Sequence, residues 1–425
     1  MAADETRGED QAPSAWTSGG VVAALAEDLG GGDAGPGTTF TDGGGPVLSA
    51  VQVQLVFWGS AWTSATNPSL NQVVTAVQAI LNSPYMLGLA QYRGIGLGTL
   101  AGTTTITNSN PPNPFSDGNV QSFIGSQITA GALPSPVGNP QLLYVVVPPS
   151  GVAASGPFIG EHSYFGQSGV NVHYAWVTIS SLAGLTTIFS HELVESCSDP
   201  EGTAITGVAG TCGQSGWCEI GDVCQSTNTV CGVTVQSYWS QQDHSCIVPR
   251  AVAAISAPAQ DDCEVPFVEG QEVEFHAGLV GSPAWINLSS LPQLSSLSYQ
   301  WTSSAGTITG AVNGQQLKVR LPGSHAPMSV SVTITDGGGC RYQASYSLRP
   351  IDAGLAEILE LLCELRKYAQ VNLFVNPLWD PLPDPWTMPT HARDIRALDS
   401  SLRTLAEMSG RVLKLYESEV GKIGR

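Results

Sequence analysis

The chain of 425 residues carries 16 Lys and Arg against 35 Asp and Glu, a formal net charge of −19, and 42% of it is hydrophobic. That length exceeds one ordinary core, so two or three domains are expected. So acidic a surface repels phosphate backbones and anionic lipid, which removes nucleic acid and polybasic membrane docking from the expected partners, and no run approaches the roughly 20 apolar residues of a membrane span.

In chain order, residues 1–45 are rich in Gly, Asp, Ser and Thr, and include Gly30-Gly31-Gly32 and Gly43-Gly44-Gly45. They read as a flexible leader, with a pro-segment as the other reading. Met1 to Asp10 lacks the basic start and apolar core of a standard signal peptide. Val51 to Gly59 is β-branched and aromatic and predicts a buried strand. Asn67-Pro68 reads as an N-cap with Pro at the first helical position. Leu70, Val73, Val74, Val77, Ile80 and Leu81 give the next helix one apolar face. Leu142 to Val147 is a second buried strand, and Val172 to Ile179 a third. Leu185 to Cys197 is helical in pattern. This mixture predicts an α/β or α+β domain over residues 46–250, closing near Pro249. The run Gly94-Ile95-Gly96-Leu97-Gly98 precedes Thr103–Thr107, a predicted strand and not a helix, so a nucleotide loop is not expected there.

Arg250 to Pro258 reads as an Ala-rich linker. Residues 259–350 show short strands, among them Ser298–Thr302 and the strictly alternating Met328–Thr335, and suggest a β-sandwich of immunoglobulin type. The helical periods at 352–370 (Leu355, Ile358, Leu362, Leu365, Ala369) and 390–419 (Ile395, Leu398, Leu402, Leu405, Ser409, Val412, Tyr416) form a/d seams. With the Pro-rich connector Asn376–Pro389 they predict a hairpin over 351–425. Such a pair is either self-contained or an element for self-association or docking to a protein partner.

Nine cysteines are present. Cys197, Cys212, Cys218, Cys224, Cys231 and Cys246 form one group, Cys263 and Cys340 bracket the β-rich stretch, and Cys363 stands alone in a helix. Even groups suit disulfides within domains and an oxidising compartment, extracellular or at the cell surface, although no signal peptide precedes them. A structural zinc site competes with that reading, but the paired C-x-x-C spacing is missing.

The chemistry concentrates in Ser190-His191-Glu192-Leu193-Val194-Glu195. On a helix His191 and Glu195 point the same way and can reach one divalent ion, while Glu192 lies beside it. Zn2+ is the expected ion, with a protein or peptide as substrate and Glu192 as the general base acting on a zinc-activated water. For the third ligand the order of preference is Glu219, then Asp222, then Glu201. His173, Tyr174, His162 and His244 are candidate donors to an oxyanion. Ca2+ at Asp199, Glu201 and Asp222 is the alternative cation. The strand Val172–Ile179 is expected to lie along the cleft as an edge.

Residues 50–249 resemble a family of mostly uncharacterised secreted bacterial proteins. The shared motifs are Leu55-Val56-Phe57-Trp58-Gly59, Ser83-Pro84-Tyr85, Gly160-Glu161-His162-Ser163, the His191 segment, Asp199-Pro200, Glu219-Ile220-Gly221-Asp222-Val223-Cys224 and Tyr238-Trp239-Ser240. The plant EXORDIUM (phosphate-induced) proteins are similar in the two acidic boxes. The resemblance covers about half the chain and implies a zincin-like domain outside the cell. By likeness to gluzincins, Glu219 would ligate the ion and Asp222 would orient His191. Residues 259–350 resemble the PKD/Ig-like modules of secreted bacterial enzymes. The leading expectation is therefore a zinc-dependent endopeptidase. The alternative is a non-catalytic cell-surface or particle component whose metal site is structural or degenerate.

Overall fold

The computed structural model describes residues 38–156, 158–179, 181–208, 219–258 and 267–369, with a few positions between 403 and 414. In the first half of the chain the elements are β1 (Phe40–Asp42), β2 (Gln52–Trp58), α1 (Leu70–Leu81), α2 (Pro84–Leu87), β3 (Thr99–Ile106), α3 (Asp117–Thr129), β4 (Leu142–Val147), β5 (Gly160–Gln167), β6 (Val170–Val177) and α4 (Leu182–Ser198). Short strands follow: β7 (Ile205–Gly207), β8 (Thr227–Val230), β9 (Val233–Gln236), β10 (Tyr238–Ser240) and β11 (Ser245–Ile247).

Five strands form one sheet in the order β3-β2-β4-β6-β5, parallel except for β5, which runs antiparallel to β6 at the edge. Parallel strands covered on both faces read as continuous apolar runs, and Leu142–Val147 is buried at every position for that reason. Side chains alternate between two cores. Leu143, Val145, Val147, Ala175 and Val177 pack with α1 and α4 on one face. Tyr144, Val146, Tyr174 and Trp176 pack with Val120, Phe123 and Ile124 of α3 on the other. The stretch Leu70–Gln91 is long and apolar enough to cross a membrane, contrary to the reading of the sequence, yet its most apolar 18-residue window is 67% buried inside the fold. It serves here as core.

Several expectations are corrected. The N-cap of α1 is Ser69, which exchanges a capping box with Gln72, while Asn67-Pro68 is a cis bond just before it. Val170–Val177 is an interior strand and the edge is β5, because the chain returns through an antiparallel hairpin before entering α4. Within the leader, Phe40–Asp42 pairs with Ile205–Gly207.

The second half contains β12 (Arg250–Ser256), β13 (Glu272–Ser282), β14 (Ser298–Ser303), β15 (Thr307–Ile308), β16 (Gln316–Arg320), β17 (Met328–Thr335), β18 (Arg341–Leu348) and α5 (Ala353–Ala369). Two antiparallel sheets, β12-β13-β16-β15 and β14-β17-β18, share a core of Phe275, Trp301, Leu317, Val319, Val330, Val332 and Ile334. The Ala-rich segment expected as a linker is a strand: Ala251, Ala253 and Ile255 face inward while their neighbours do not. On α5, Ile358 is buried together with Ala356 and Leu361, whereas Leu355 and Leu362 of the expected seam are exposed. Most of the second expected helix, 390–419, lies outside the described residues.

The cysteine pairing also differs from expectation. Cys224 is bonded to Cys246 within the first unit, but Cys231 is bonded to Cys340, which joins the two units. Cys197 is a buried free thiol on α4, and Cys363, expected to stand alone, is disulfide-bonded. Cys212, Cys218 and Cys263 lie outside the described residues. Two further contacts bind the units: Trp285 Nε1 donates to Asp243 at 3.0 Å and Gln293 Nε2 donates to Asn82 O at 2.6 Å.

Candidate metal centre

Helix α4 begins at Ser181, whose hydroxyl accepts from Gly184 N at 3.0 Å and so satisfies one free backbone donor. Its Leu185, Phe189, Leu193 and Val194 are buried against the sheet, and this fixes the rotation of the helix. One turn then presents His191 and Glu195 together, with His191 Nε2 at 3.2 Å from Glu195 Oε2. Glu192, the next residue after His191, turns toward the edge strand, where Gly160 leaves room: a Cβ at that position would stand 2.5 Å from Glu192 Oε1.

Strand β5 contributes the second imidazole. His162 Nδ1 lies 3.5 Å from Glu192 Oε2 and 3.6 Å from Glu195 Oε2, and its Nε2 lies 3.3 Å from Glu219 Oε1. The turn after residue 218 supplies the remaining acids. Glu219 N donates to Asp222 Oδ2 at 3.2 Å, and Asp222 Oδ1 stands 3.8 Å from His191 Nε2. Gly221 permits this approach, since a Cβ there would meet Glu195 Oε1 at 2.7 Å and His191 Nδ1 at 2.8 Å. Trp239 N donates to Ile220 O at 2.7 Å and holds the turn against β10.

Two ligand groups result, His191 with Glu195 and Asp222, and His162 with Glu195 and Glu219; within each, the donor atoms all lie within 4.8 Å of one another. Either set of imidazole nitrogen and carboxylate oxygens could hold a metal ion. The first group is the more open, with side-chain exposures of 20% for His191 and 24% for Asp222, against 10% for His162 and 13% for Glu219. Glu195 belongs to both and is buried, and its Oε1 has no hydrogen-bond partner among the described residues.

The electrostatics are those of acids crowded together out of water. Burial, then the charges of Glu219, Asp222 and Glu192, push the Glu195 carboxyl well above the usual carboxylate range. Burial likewise raises Asp222, with Glu219 adding to the effect while His191 opposes it. For His162 burial disfavours the charged form, but Glu219, Glu192 and Glu195 overcome it and hold the imidazolium to well above its ordinary pKa.

The sequence-predicted residues divide as follows. His191, Glu195 and Asp222 come together, and Glu219 joins His162 instead of His191. Asp222 faces Nε2 of His191, and the partner of Nδ1 is Gln236, at 2.9 Å, so Asp222 is not the residue behind the ring. Glu201 is engaged elsewhere, accepting from Asn171 at 2.7 Å and lying 2.9 Å from His173 Nε2. That leaves His173 on the His162 face of the sheet but outside both ligand groups. Tyr174 is on the opposite face, where its hydroxyl donates to Asp117 at 2.7 Å, so strand alternation removes it from the site. Asp199 Oδ1 accepts from the backbone of Thr203 and Ala204, both at 2.6 Å, and among the described residues neither Asp199, Glu201 nor His244 joins a ligand group, which leaves the calcium set unassembled. Sequence reasoning placed His162 only among oxyanion donors and missed Gln236. The Gly160-Glu161-His162-Ser163 motif was the available signal for the former, and Gln236 had none.

No family model matches the chain, and no curated protein matches it. Among solved structures it is similar to a nucleoside hydrolase-related hypothetical protein from Saccharophagus degradans, associated with carbohydrate metabolism. That match has 11% identity, covers 71% of this chain and 100% of the other, and has a TM-score of 0.17, too low to carry an argument.

Proposed function

We propose that the chain is a zinc-dependent hydrolase, an endopeptidase acting outside the cell, with His191, Glu195 and Asp222 holding the ion. The observation that carries this reading is the buried Glu195 carboxylate, one oxygen beside His191 and the other without a partner. A buried acid so placed is costly unless a cation completes it. Imidazole in both ligand groups favours zinc over calcium, which takes 6–8 oxygen ligands. When bound, the ion supplies a Lewis acid that polarises a carbonyl and makes water more acidic.

The protein's own groups do the rest. Glu192 is adjacent to both ligand groups and accepts the proton of the attacking water, then passes it to the leaving amine. His162, at 3.5 Å, orients the Glu192 carboxylate. The outer backbone edge of β5 runs beside Glu192 and, with no described strand paired to it, offers an extended peptide donors and acceptors, as strand-addition sites do. The alternation around β5, β6 and α4 suits a zincin-like domain related to the EXORDIUM-type proteins. The two packed sheets of the second unit suit an Ig/PKD-like module, and the bonds Cys224–Cys246 and Cys231–Cys340 are compatible with export.

The near-complete burial of Glu192 and Glu195 favours a second reading, a structural metal site in a cell-surface component. Elemental analysis and casein cleavage by the full chain separate the two. The enzyme reading expects bound zinc, and in Glu192→Gln retained zinc with cleavage reduced about 10²–10⁴-fold. Bound zinc without cleavage by the unaltered protein selects the structural reading, and absence of zinc from both sinks the metal site altogether.

A further inference from the structure

We propose that this pocket takes two divalent cations bridged by Glu195, the second held by His162 and Glu219. The inference rests on the metal-site reading above and extends it. Glu195 Oε2 lies between two imidazoles, 3.2 Å from His191 and 3.6 Å from His162, while Oε1 is buried and unpartnered. A carboxylate that faces two donor sets at once would be placed to bridge hydrolase metals of the kind that sit about 3.5–4 Å apart. Apart from Glu195 the remaining donors divide without overlap: His191 and Asp222 on the open side, His162 and Glu219 on the inner side. Each half offers one imidazole and one carboxylate besides the shared acid, so the pocket is built as two half-sites around a common member.

Charge supports the same count. Glu192, Glu195, Glu219 and Asp222 converge in one largely buried volume. Four carboxylates leave a net double negative charge beside one dication, whereas a pair of dications with neutral imidazoles brings the site to neutrality. Uncompensated buried charge is what proteins avoid most strongly. The rival arrangement has one ion at His191 and His162 serving as a protonated counter-ion.

Zinc titration with elemental analysis of the full chain tests the proposal. About two Zn2+ per chain are expected, falling to about one in His162→Ala and about one in His191→Ala. Loading with Mn2+ adds a reading on the unaltered protein that survives if a variant fails to fold. Electron paramagnetic resonance should show an exchange-coupled pair at full loading and an isolated-ion spectrum in His162→Ala. One zinc per chain, an uncoupled Mn2+ spectrum and no change in stoichiometry in His162→Ala would overturn the bridged pair and leave the single-ion reading standing. Failure to bind any ion would overturn both.

Discussion

The side-chain nitrogen of Gln236 stands 2.9 Å from Nδ1 of His191, on the edge of the ring opposite Glu195. The same amide group donates to Gly221 O at 3.1 Å and to Cys224 O at 2.7 Å. One residue on β9 therefore fixes both the imidazole and the turn that carries Asp222. Removing such an outer partner leaves the ligands in place but free to rotate. Gln236→Leu is expected to weaken zinc binding by about 10–100-fold with the fold retained. Competition against a chromophoric chelator reads this directly, and unchanged affinity would show that His191 is oriented by something else.

Gly221 gives a sharper steric test. In Gly221→Ala the new methyl meets Glu195 Oε1 and His191 Nδ1 at 2.7 and 2.8 Å, and the turn must withdraw from the helix. Zinc affinity should fall at least about tenfold. As a control, Gly118→Ala on α3 meets only Ser116 Oγ at 3.9 Å and should be neutral or stabilising by up to about 1 kcal/mol. Equal behaviour of the two variants in a zinc titration would refute the close packing proposed to matter here.

The metal-free protein should lose stability as pH rises. Glu195 holds its proton more tightly folded than unfolded, because of burial first and then Glu219, Asp222 and Glu192. Its contribution is therefore full below its ordinary value of 4.5 and fades as pH climbs through the raised folded value. His162 acts in the same sense from 6.5 upward: burial opposes its charge, the acids around it prevail, and stability is lost as the proton leaves. Zinc should reverse the slope, since its ligands must be deprotonated. Urea melts from about pH 5 to 8, with and without a chelator, check the sign, and parallel curves would argue against a cation in the pocket.

Tyr174 should prove structural. Its hydroxyl donates to Asp117 at 2.7 Å and accepts from Gln121 at 2.9 Å, on the sheet face away from His191. Tyr174→Phe should cost about 0.5–1.5 kcal/mol of stability by removing this hydrogen bond, while Asp117 keeps the one from Gln121 at 2.9 Å, with zinc content and cleavage unchanged. A loss of cleavage at undiminished stability would return this residue to the site.

What could be read in advance follows from how local each signal is. Leu142–Val147 announces itself because a strand buried on both faces has no polar positions to blur it. The meeting of His191 and Glu195 needs only the pitch of one helix. His162 reaches the same place through a sheet order, β4-β6-β5, that no local periodicity encodes, and the exchange of Glu219 and Asp222 between the imidazoles depends on a tight turn at Gly221. Arg250–Ser256 passed for a linker because alanine carries a weak inward signal, although Ala251 and Ala253 occupy core positions. The bond from Cys231 to Cys340 spans 109 positions, beyond any inference from spacing.

That covalent tie has a consequence for how the protein would respond to proteolysis. Any single cut of the backbone between positions 231 and 340, including one in the connection from β12 to β13, yields two fragments that remain one molecule until a reductant is supplied. A nicked sample would run as a single species on a non-reducing gel and separate into two with thiol. In an oxidising environment the β-rich half cannot be shed by such a cut, and travels wherever the half that carries His191 goes.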